Sequence, residues 1–164
     1  MTYIIDGHNL IPKIPGIDLS DPDDESRLIK VLQQFCRLRR SKALVYFDKA
    51  PPGMSGSKNF GSVRAFYIRQ GRTADDAIMA KLGKLGKRAR NVTVVSSDRQ
   101  VQQAARAAHA RVMTSDAFAA EWKTLISEEP SLDIRNRPLS EQELAEWEAL
   151  FKERGQGKNT KYNK

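Results

Sequence analysis

Short apolar runs alternate with longer amphipathic segments along the first 127 residues of the chain. The apolar runs have the length of strands and lie at 3–5, 43–47, 63–68, 92–95 and 111–113. Helical spacing of apolar residues predicts helices over 23–40, 75–90, 98–109 and 116–126. Strands that alternate with helices are typical of a mostly parallel sheet with helices on both faces. The sequence therefore predicts an α/β fold with a central sheet of about five strands.

Three further segments depart from this alternation. Residues 48–62 are rich in Gly, Pro and Ser without periodicity, which predicts a mobile loop. After the domain at 1–127, residues 128–154 are predicted to form a helical appendage, in which Ser140 and Glu143 have the spacing of a capping box. Residues 155–164 are basic and contain glycine, which predicts a disordered tail.

The charge and the single cysteine limit the possible partners and compartment. The net charge of +8 favours binding to polyanions, with nucleic acid a better candidate than an anionic membrane surface. The alternative is that the excess of positive charge serves only to keep the protein soluble. Cys36 cannot form an internal disulfide, so a buried thiol in a reduced, cytoplasmic protein is expected. The N-terminus lacks the pattern of a signal peptide, and no apolar run has the length of a membrane span, so no membrane association is expected.

Aspartates stand at the carboxyl ends of three of the predicted strands. Asp6 follows the first strand, Asp48 the second and Asp98 the fourth, and ligands of open α/β sheets bind beyond the carboxyl ends of the strands. Asp75 and Asp76 add two carboxylates at the start of a helix. Each aspartate has a structural alternative, because aspartate is a good helix cap.

This alternative applies unequally to the aspartates. Asp116, after Thr114 and Ser115, is assigned to capping. Asp6 precedes "GHNLIPKIPG", which is predicted to be a loop, so that its carboxylate has no helix to cap.

Converging carboxylates repel one another, which raises their pKa values unless a cation neutralises them. Oxygen ligands favour Mg²⁺ or Mn²⁺. In a basic protein, such a site suggests hydrolysis of phosphodiesters, with the metal stabilising phosphate charge and activating water. Gly7 would permit a tight turn close to the substrate, and Asn9 would place a neutral amide on a phosphate oxygen or a metal-bound water.

The motifs "IIDGHNLI", "YFD", "TADDAIMAKL" and "VVSSDRQVQ", in this order, resemble the YacP-like NYN-domain proteins of the PIN-like superfamily of metal-dependent ribonucleases. The resemblance runs from about residue 2 to about residue 127 and rests on the combination of motifs, each of which alone is weak. It implies a PIN-like three-layer α/β/α fold, Mg²⁺ or Mn²⁺, and cleavage of RNA.

The same resemblance assigns roles to individual positions. Asp6 and Asn9 match the opening D-G-x-N motif, Asp75 and Asp76 match the acidic pair after the third strand, and Asp98 matches the aspartate after the fourth strand. All five are candidate catalytic residues, and the four aspartates are candidate metal ligands. Asp48 is a less specific candidate ligand, because its match is common among YacP-like members but not throughout NYN domains.

Two polar neighbours of these motifs are candidates for binding substrate. His8 stands where close relatives often have tyrosine; substrate contact and packing are both open, with packing favoured. Ser97 is expected to support the site or to cap a helix.

Basic residues near the acidic motifs are candidates for holding RNA phosphates without reading bases. A solvated helix face is the alternative for the helical ones. The candidates are Lys81, Lys84 and Arg88 on the helix that starts at Asp75, with Lys58 and Arg64 in and beside the 48–62 loop.

The leading hypothesis is an endoribonuclease that uses water as nucleophile. The alternative is a non-catalytic module that binds RNA or the ribosome on the same fold. A phosphoacceptor receiver domain is disfavoured, because it needs an acidic pair after the first strand, where Asp6 stands alone. The expected partner is RNA, including ribosome-associated mRNA or rRNA, whereas the RNA target and the oligomeric state are not determined by the sequence.

Overall fold

The computed structural model describes residues 1–128 and Ala145. The strands are β1 (Thr2–Asp6), β2 (Lys42–Ala50), β3 (Gly56–Phe60), β4 (Val63–Arg69), β5 (Val92–Val95) and β6 (Arg111–Met113). The α-helices are α1 (Gly7–Leu10), α2 (Asp24–Arg39), α3 (Ala74–Leu85), α4 (Arg99–Ala107) and α5 (Ser115–Glu128). Two 3-10 segments, Ile11–Lys13 and Gly86–Asn91, follow α1 and α3.

The strands form one six-stranded sheet in the order β3-β4-β2-β1-β5-β6. All neighbouring pairs are parallel except β3 and β4, which are antiparallel. Strand β1 lies between β2 and β5, so the order of the strands reverses on either side of it. Open α/β sheets bind their ligands at such a switch point.

Each face of the sheet is covered by its own apolar core. On one face, Phe35 of α2 and Phe118 of α5 pack at 4.4 Å between ring centroids, and Tyr3 of β1 lies edge-on to Phe35 at 5.1 Å. On the other face, Ile78 of α3 and Val101 of α4 are fully buried against β1, β2 and β5. The three-layer α/β/α fold predicted from the sequence is confirmed.

The prediction of a loop over 48–62 is wrong. Strand β2 continues to Ala50, and residues 56–60 form β3, which pairs with β4 from Gly56 opposite Tyr67 to Phe60 opposite Val63. Most of β3 is exposed, so backbone pairing rather than apolar burial holds it in place. The sheet thus has one strand more than expected.

Two other boundaries differ from the predictions. The segment after Asp6 is helical rather than a loop, over α1 and the 3-10 turn. Helix α3 ends at Leu85, five residues before the predicted end, because Gly86 takes the left-handed φ of 54° and the chain tightens into a 3-10 segment. Arg88 therefore lies outside the α-helix that carries Lys81 and Lys84.

The chain divides into two units, Met1–Leu125 and Ile126–Lys164. The predicted C-terminal helix and the basic tail lie outside the described residues, apart from Ala145, which is helical. Cys36 is buried, as expected for a structural thiol. Among the described residues, no helix combines the length and the apolar character that a membrane span requires.

Candidate active site

Three neighbouring strands bring carboxylates to one edge of the sheet. Asp6 is the last residue of β1, Asp48 lies near the end of β2, and Asp98 follows β5. Because β2 and β5 flank β1 in parallel, the three side chains arrive at the switch point from adjacent strands. Asp75, in the first turn of α3, interacts electrostatically with Asp6, Asp48 and Asp98, so these carboxyl groups lie near one another at this edge of the sheet.

A bulge places Asp48. Phe47 pairs with Tyr67 and Ala50 with Arg69, so β2 holds one residue more than β4 over this stretch. Lys49, directly after Asp48, takes a left-handed φ of 62°, which is uncommon for a residue other than glycine. Asp48 therefore lies within β2 rather than after it.

Asp6 and Asp75 form a hydrogen-bonded pair of carboxyl groups. Asp6 is only 7% exposed. Burial, followed by the charge and the hydrogen bond of Asp75, raises the pKa of Asp6 to about 7, although the nearby backbone of Asn9 lowers it. Near neutral pH the carboxyl group of Asp6 is therefore partly protonated, and the proton that it shares with Asp75 lies on the Asp6 side of the pair.

The remaining carboxylates act on this pair through their charges. The pKa of Asp75 is raised by its own burial and then by the charge of Asp98, with smaller effects of Asp48 and Asp76. No lysine or arginine of the described residues contributes to the shift of either Asp6 or Asp75. Among the described side chains, the one basic partner of this cluster is His8, which bonds Asp48, so the carboxyl groups of Asp6, Asp75 and Asp98 have no cationic partner there.

The chemistry of this donor set fits a hard divalent cation, because it consists of carboxylate oxygens with uncompensated charge. The residues that would hold the cation are Asp6, Asp75 and Asp98, with Asp48 and Asp76 next to them. Over residues 1–128, however, no three acidic, histidine or cysteine side chains already stand in the arrangement of a metal site. The Asp6–Asp75 pair is the most closely joined part of the cluster.

Asp98 has both of the roles considered for it. Its Oδ1 accepts a hydrogen bond of 3.1 Å from the backbone N–H of Val101 and so caps α4. Its charge at the same time acts on Asp75. Capping and membership of the acidic cluster are therefore not exclusive.

Asp116 does not cap α5, contrary to the prediction. Thr114 Oγ1 accepts from the N–H of Ala117 at 3.0 Å, while Asp116 pairs with Lys13 at 3.3 Å on the surface. At the start of α3, Thr73 Oγ1 accepts from the N–H of Asp76 at 3.0 Å, so the exposed Asp76 supplies charge to the first turn without capping it.

Asn9 connects three parts of the site through its side-chain oxygen. Asn9 Oδ1 accepts from the backbone N–H of Ser97 at 2.8 Å and from the hydroxyl of Ser115 at 2.6 Å. Ser97 Oγ in turn accepts from the backbone N–H of Ser115 at 3.1 Å. The oxygen of Asn9 is thus engaged within the protein, and Ser97 Oγ holds the backbone N–H of the first residue of α5, so both roles predicted for Ser97 stay open.

His8 bridges two carboxylates. Its Nε2 lies 2.8 Å from Oε2 of Glu25 on α2, and its Nδ1 lies 2.9 Å from Oδ1 of Asp48. The hydrogen bond to Glu25 has the largest effect and, with Asp48, raises the pKa of His8 to about 9 although burial opposes the shift. His8 is therefore an imidazolium at neutral pH that holds Asp48.

Gly7 is required by packing rather than by a tight turn. A Cβ at residue 7 would overlap the ring of Phe47 and lie 3.0 Å from the carbonyl oxygen of Tyr46. The missing side chain lets α1 approach β2 closely and brings His8 to Asp48.

The profile of the YacP-like NYN domain matches residues 3–152, which is most of the chain. The chain belongs to the YacP-like NYN domain family. The resemblance that the motifs predicted is thereby confirmed. The match extends beyond residue 127 into the segment that was predicted to be an appendage, and the domain boundaries within 128–164 stay a prediction.

Solved structures of a YacP protein share the fold of this family member. A crystal structure of Rae1 (YacP) from Bacillus subtilis is 20% identical, with a TM-score of 0.65, and the match covers 96% of each chain. A second structure, of a Rae1 point mutant, is 21% identical with the same TM-score of 0.65 and covers 77% of each chain. Among curated proteins, no sequence matches this chain.

In this YacP-like domain, the predicted phosphate-binding residues occupy three places. Lys58 on β3 lies 6.0 Å from the ring centroid of Tyr67, and Arg64 on β4 lies 5.7 Å from that of Phe66. Lys81 and Lys84 line a pocket beside α3, whereas Arg88 is in the 3-10 segment and does not line it. Lys81 and Lys84 are thus brought together, and Arg88 is separated from them.

Three residues of the site were missed by sequence reasoning. Glu25 has the position of a first-turn helix charge, and Ser115 that of a residue in a helix cap, so neither suggests contact with the acidic motifs. Arg72 lines the pocket with Lys81 and Lys84, and its position shortly before the acidic pair was the one signal that could have identified it.

Proposed function

We propose that this YacP-like NYN domain is a divalent-metal-dependent endoribonuclease that acts on RNA in the cytoplasm, including ribosome-associated mRNA or rRNA. Its family has a PIN-like, nuclease-type fold. The observation that supports the proposal is the electrostatic interaction of Asp75 with Asp6 and Asp98 at the switch point of the sheet, where none of these three carboxyl groups is paired with a described Lys, Arg or His side chain.

Asp6, Asp75 and Asp98 would hold Mg²⁺ or Mn²⁺, with Asp48 and Asp76 adding negative charge. When bound, the metal would stabilise charge on the scissile phosphate and lower the pKa of the attacking water. Without a cation, the raised pKa of Asp6 keeps this carboxyl group partly protonated near neutral pH. His8 orients Asp48, and Asn9 Oδ1 holds the backbone N–H of Ser97, which is next to Asp98.

The experiment is incubation of the purified full chain with single-stranded and structured RNA in Mn²⁺, Mg²⁺ or EDTA. We expect internal cleavage with either metal and intact RNA in EDTA, because no metal is then present to activate the attacking water. Cleavage in EDTA would contradict the metal requirement.

A non-catalytic module that binds RNA or the ribosome remains the second candidate. The observation in its favour is that no three described carboxylates already form a metal site, and that Asp6 and Asp75 are engaged with each other. Binding of RNA without cleavage in any metal would favour this candidate over the nuclease.

Mn²⁺ is expected to raise the melting temperature of the wild-type protein, because it relieves repulsion present in the folded state. At about 100 times its dissociation constant, a bound ligand stabilises by about 2.7 kcal/mol. For a chain of this size, that corresponds to a rise of roughly 5–10 °C in Tm. Scanning calorimetry in EDTA and in millimolar Mn²⁺ measures it. Asp116→Asn should keep the full rise, and an unchanged wild-type Tm would argue against a cation site.

A further inference from the structure

A surface pocket of about 290 Å³ lies between α3 and the neighbouring face of β2 and β4. This volume is close to the lower end of ligand pockets, roughly 300–1,000 Å³. Its lining combines an apolar floor with basic residues at its border and contains no acidic side chain. The lining residues are Tyr46, Phe66, Ile68, Arg72, Ala77, Ala80, Lys81 and Lys84.

The floor of the pocket is aromatic. Tyr46 and Phe66 are register partners on β2 and β4, and their rings are stacked with centroids 4.6 Å apart and an angle of 10° between the ring planes. Tyr46 is buried, whereas Phe66 is only half-buried and presents ring surface to the pocket. Arg64, two residues before Phe66 on the same face of β4, lies within the range of a cation–π contact at 5.7 Å.

Three cations border this floor. Arg72 and Lys84 are exposed, and Lys81 is half-buried. Within residues 1–128, none of the three forms an ion pair. Their charges are therefore available to an anionic ligand. The pocket is positively charged, whereas the carboxylate cluster is negatively charged.

The pocket begins where the acidic cluster ends. Arg72 precedes Asp75 by three residues, and Ala77 follows Asp76 directly, so the pocket lining flanks the acidic pair in sequence. With a rise of 1.5 Å per residue, Lys81 and Lys84 lie roughly 9 and 14 Å along the helix axis from Asp75. A strand of nucleic acid at the carboxylates could continue along α3 into the pocket.

We propose that this pocket is a nucleotide subsite for single-stranded RNA, in which a base stacks on Phe66 and the adjacent phosphates contact Arg72, Lys81 and Lys84. Any base can stack on an aromatic ring, and the cations contact the phosphate backbone. The subsite would therefore bind single-stranded RNA without sequence specificity. The inference rests on the proposed function for its substrate class. It adds to that function a place for a nucleotide away from the scissile bond.

The test measures binding in EDTA, where no cleavage is expected, by fluorescence anisotropy with two probes: a labelled oligouridine and an abasic oligoribonucleotide of the same length. Phe66→Leu keeps an apolar side chain but removes the ring. We expect it to weaken binding of oligouridine at least roughly fivefold, the lower end of the effect of one base–aromatic stack, and to leave the abasic probe unaffected.

Paired charge substitutions test the border of the pocket. Lys81→Gln with Lys84→Gln should weaken binding of both probes and flatten the slope of log affinity against log salt by roughly 1.4, at about 0.7 for each phosphate contact. The matched control is Lys87→Gln with Arg90→Gln, which removes the same charge from a second basic pocket that has no Tyr, Phe or Trp in its lining. This control should change the slope by less than half as much.

The outcomes of these binding experiments support or overturn the subsite whether or not the protein cleaves RNA. Wild-type affinity of Phe66→Leu for oligouridine, or an equal loss with both probes at unchanged Tm, would overturn the base-stacking subsite even if the wild type cleaves RNA. Absence of RNA binding by the wild type would also overturn it. Conversely, a loss confined to oligouridine supports the subsite even if no metal produces cleavage. Arg72→Gln provides a second variant, which should fold because the position is exposed. It should weaken the binding of both probes.

Discussion

Replacement of Asp98 by asparagine is expected to lower the rate of RNA cleavage by at least about 100-fold, a loss typical of removing one electrostatic group from an active site. Asparagine keeps the side-chain oxygen that accepts from Val101 N–H, and it is as good a helix cap as aspartate. The charge that Asp98 contributes beside Asp75 is lost. The measurement is the initial rate at saturating RNA in Mn²⁺, together with the melting temperature.

The control for this substitution is Asp116→Asn. Asp116 also lies at the start of a helix that follows a strand, but its partner is Lys13 on the surface. A surface ion pair contributes about 0–1 kcal/mol, so both rate and Tm should stay close to the wild type. Wild-type turnover by the Asp98 variant, with metal still required, would remove Asp98 from the site.

Asp6→Asn is expected to change the pH dependence of stability in the metal-free protein. The pKa of Asp6 is raised from its usual value near 3.8 to about 7, so folding favours its protonated form. Its stabilising contribution is complete below about pH 4 and is lost as the pH rises through about 7. At about 1.4 kcal/mol per pKa unit, the loss is of the order of a few kcal/mol, shared with Asp75 because the two groups titrate as a pair.

The measurement is urea denaturation in EDTA at a series of pH values from 4 to 8. As the pH rises toward 7, the free energy of unfolding of the wild type should decrease, and Asp6→Asn should remove most of this decrease. At pH 8 the variant should be more stable than the wild type. His8, whose pKa is raised to about 9, contributes a separate decrease as the pH rises from about 6.5 to 9, and this decrease should persist in the variant. If the free energy of unfolding of Asp6→Asn had the same slope against pH as that of the wild type between pH 4 and 7, Asp6 would ionise normally.

The parts of the fold that follow from side-chain burial could be predicted from the sequence. Strands β1 and β5 are mostly apolar because both of their faces are covered, and parallel strands bring Asp6 and Asp98 to one edge. Strand β3 could not be predicted, because its side chains are mostly exposed and its stability comes from backbone pairing with β4. Nothing in the Asp48–Lys49 pair signals the bulge, since lysine rarely has a positive φ.

The contacts that organise the site join residues that are distant in sequence. His8 and Glu25 are 17 residues apart, and Asn9 and Ser115 are 106 apart. Each of these residues also fits a local role, such as packing, a helix charge or a cap. Sequence patterns report periodicity and motifs within one element, so the acidic residues, His8, Asn9 and Ser97 could be singled out. Glu25 and Ser115, which bind His8 and Asn9, could not.

The position of β1 in the middle of the sheet has a consequence for the synthesis of the chain. Strand β1 leaves the ribosome before both of its neighbours, and it cannot complete its pairing until β5, which begins at residue 92, has followed β2. The serine that binds Asn9 emerges later still, at position 115. Domains generally fold as units, and contacts of such long range form slowly. A nascent chain of fewer than 98 residues thus carries the D-G-x-N motif without Asp98. The protein acquires its candidate site only near the end of the synthesis of its sheet.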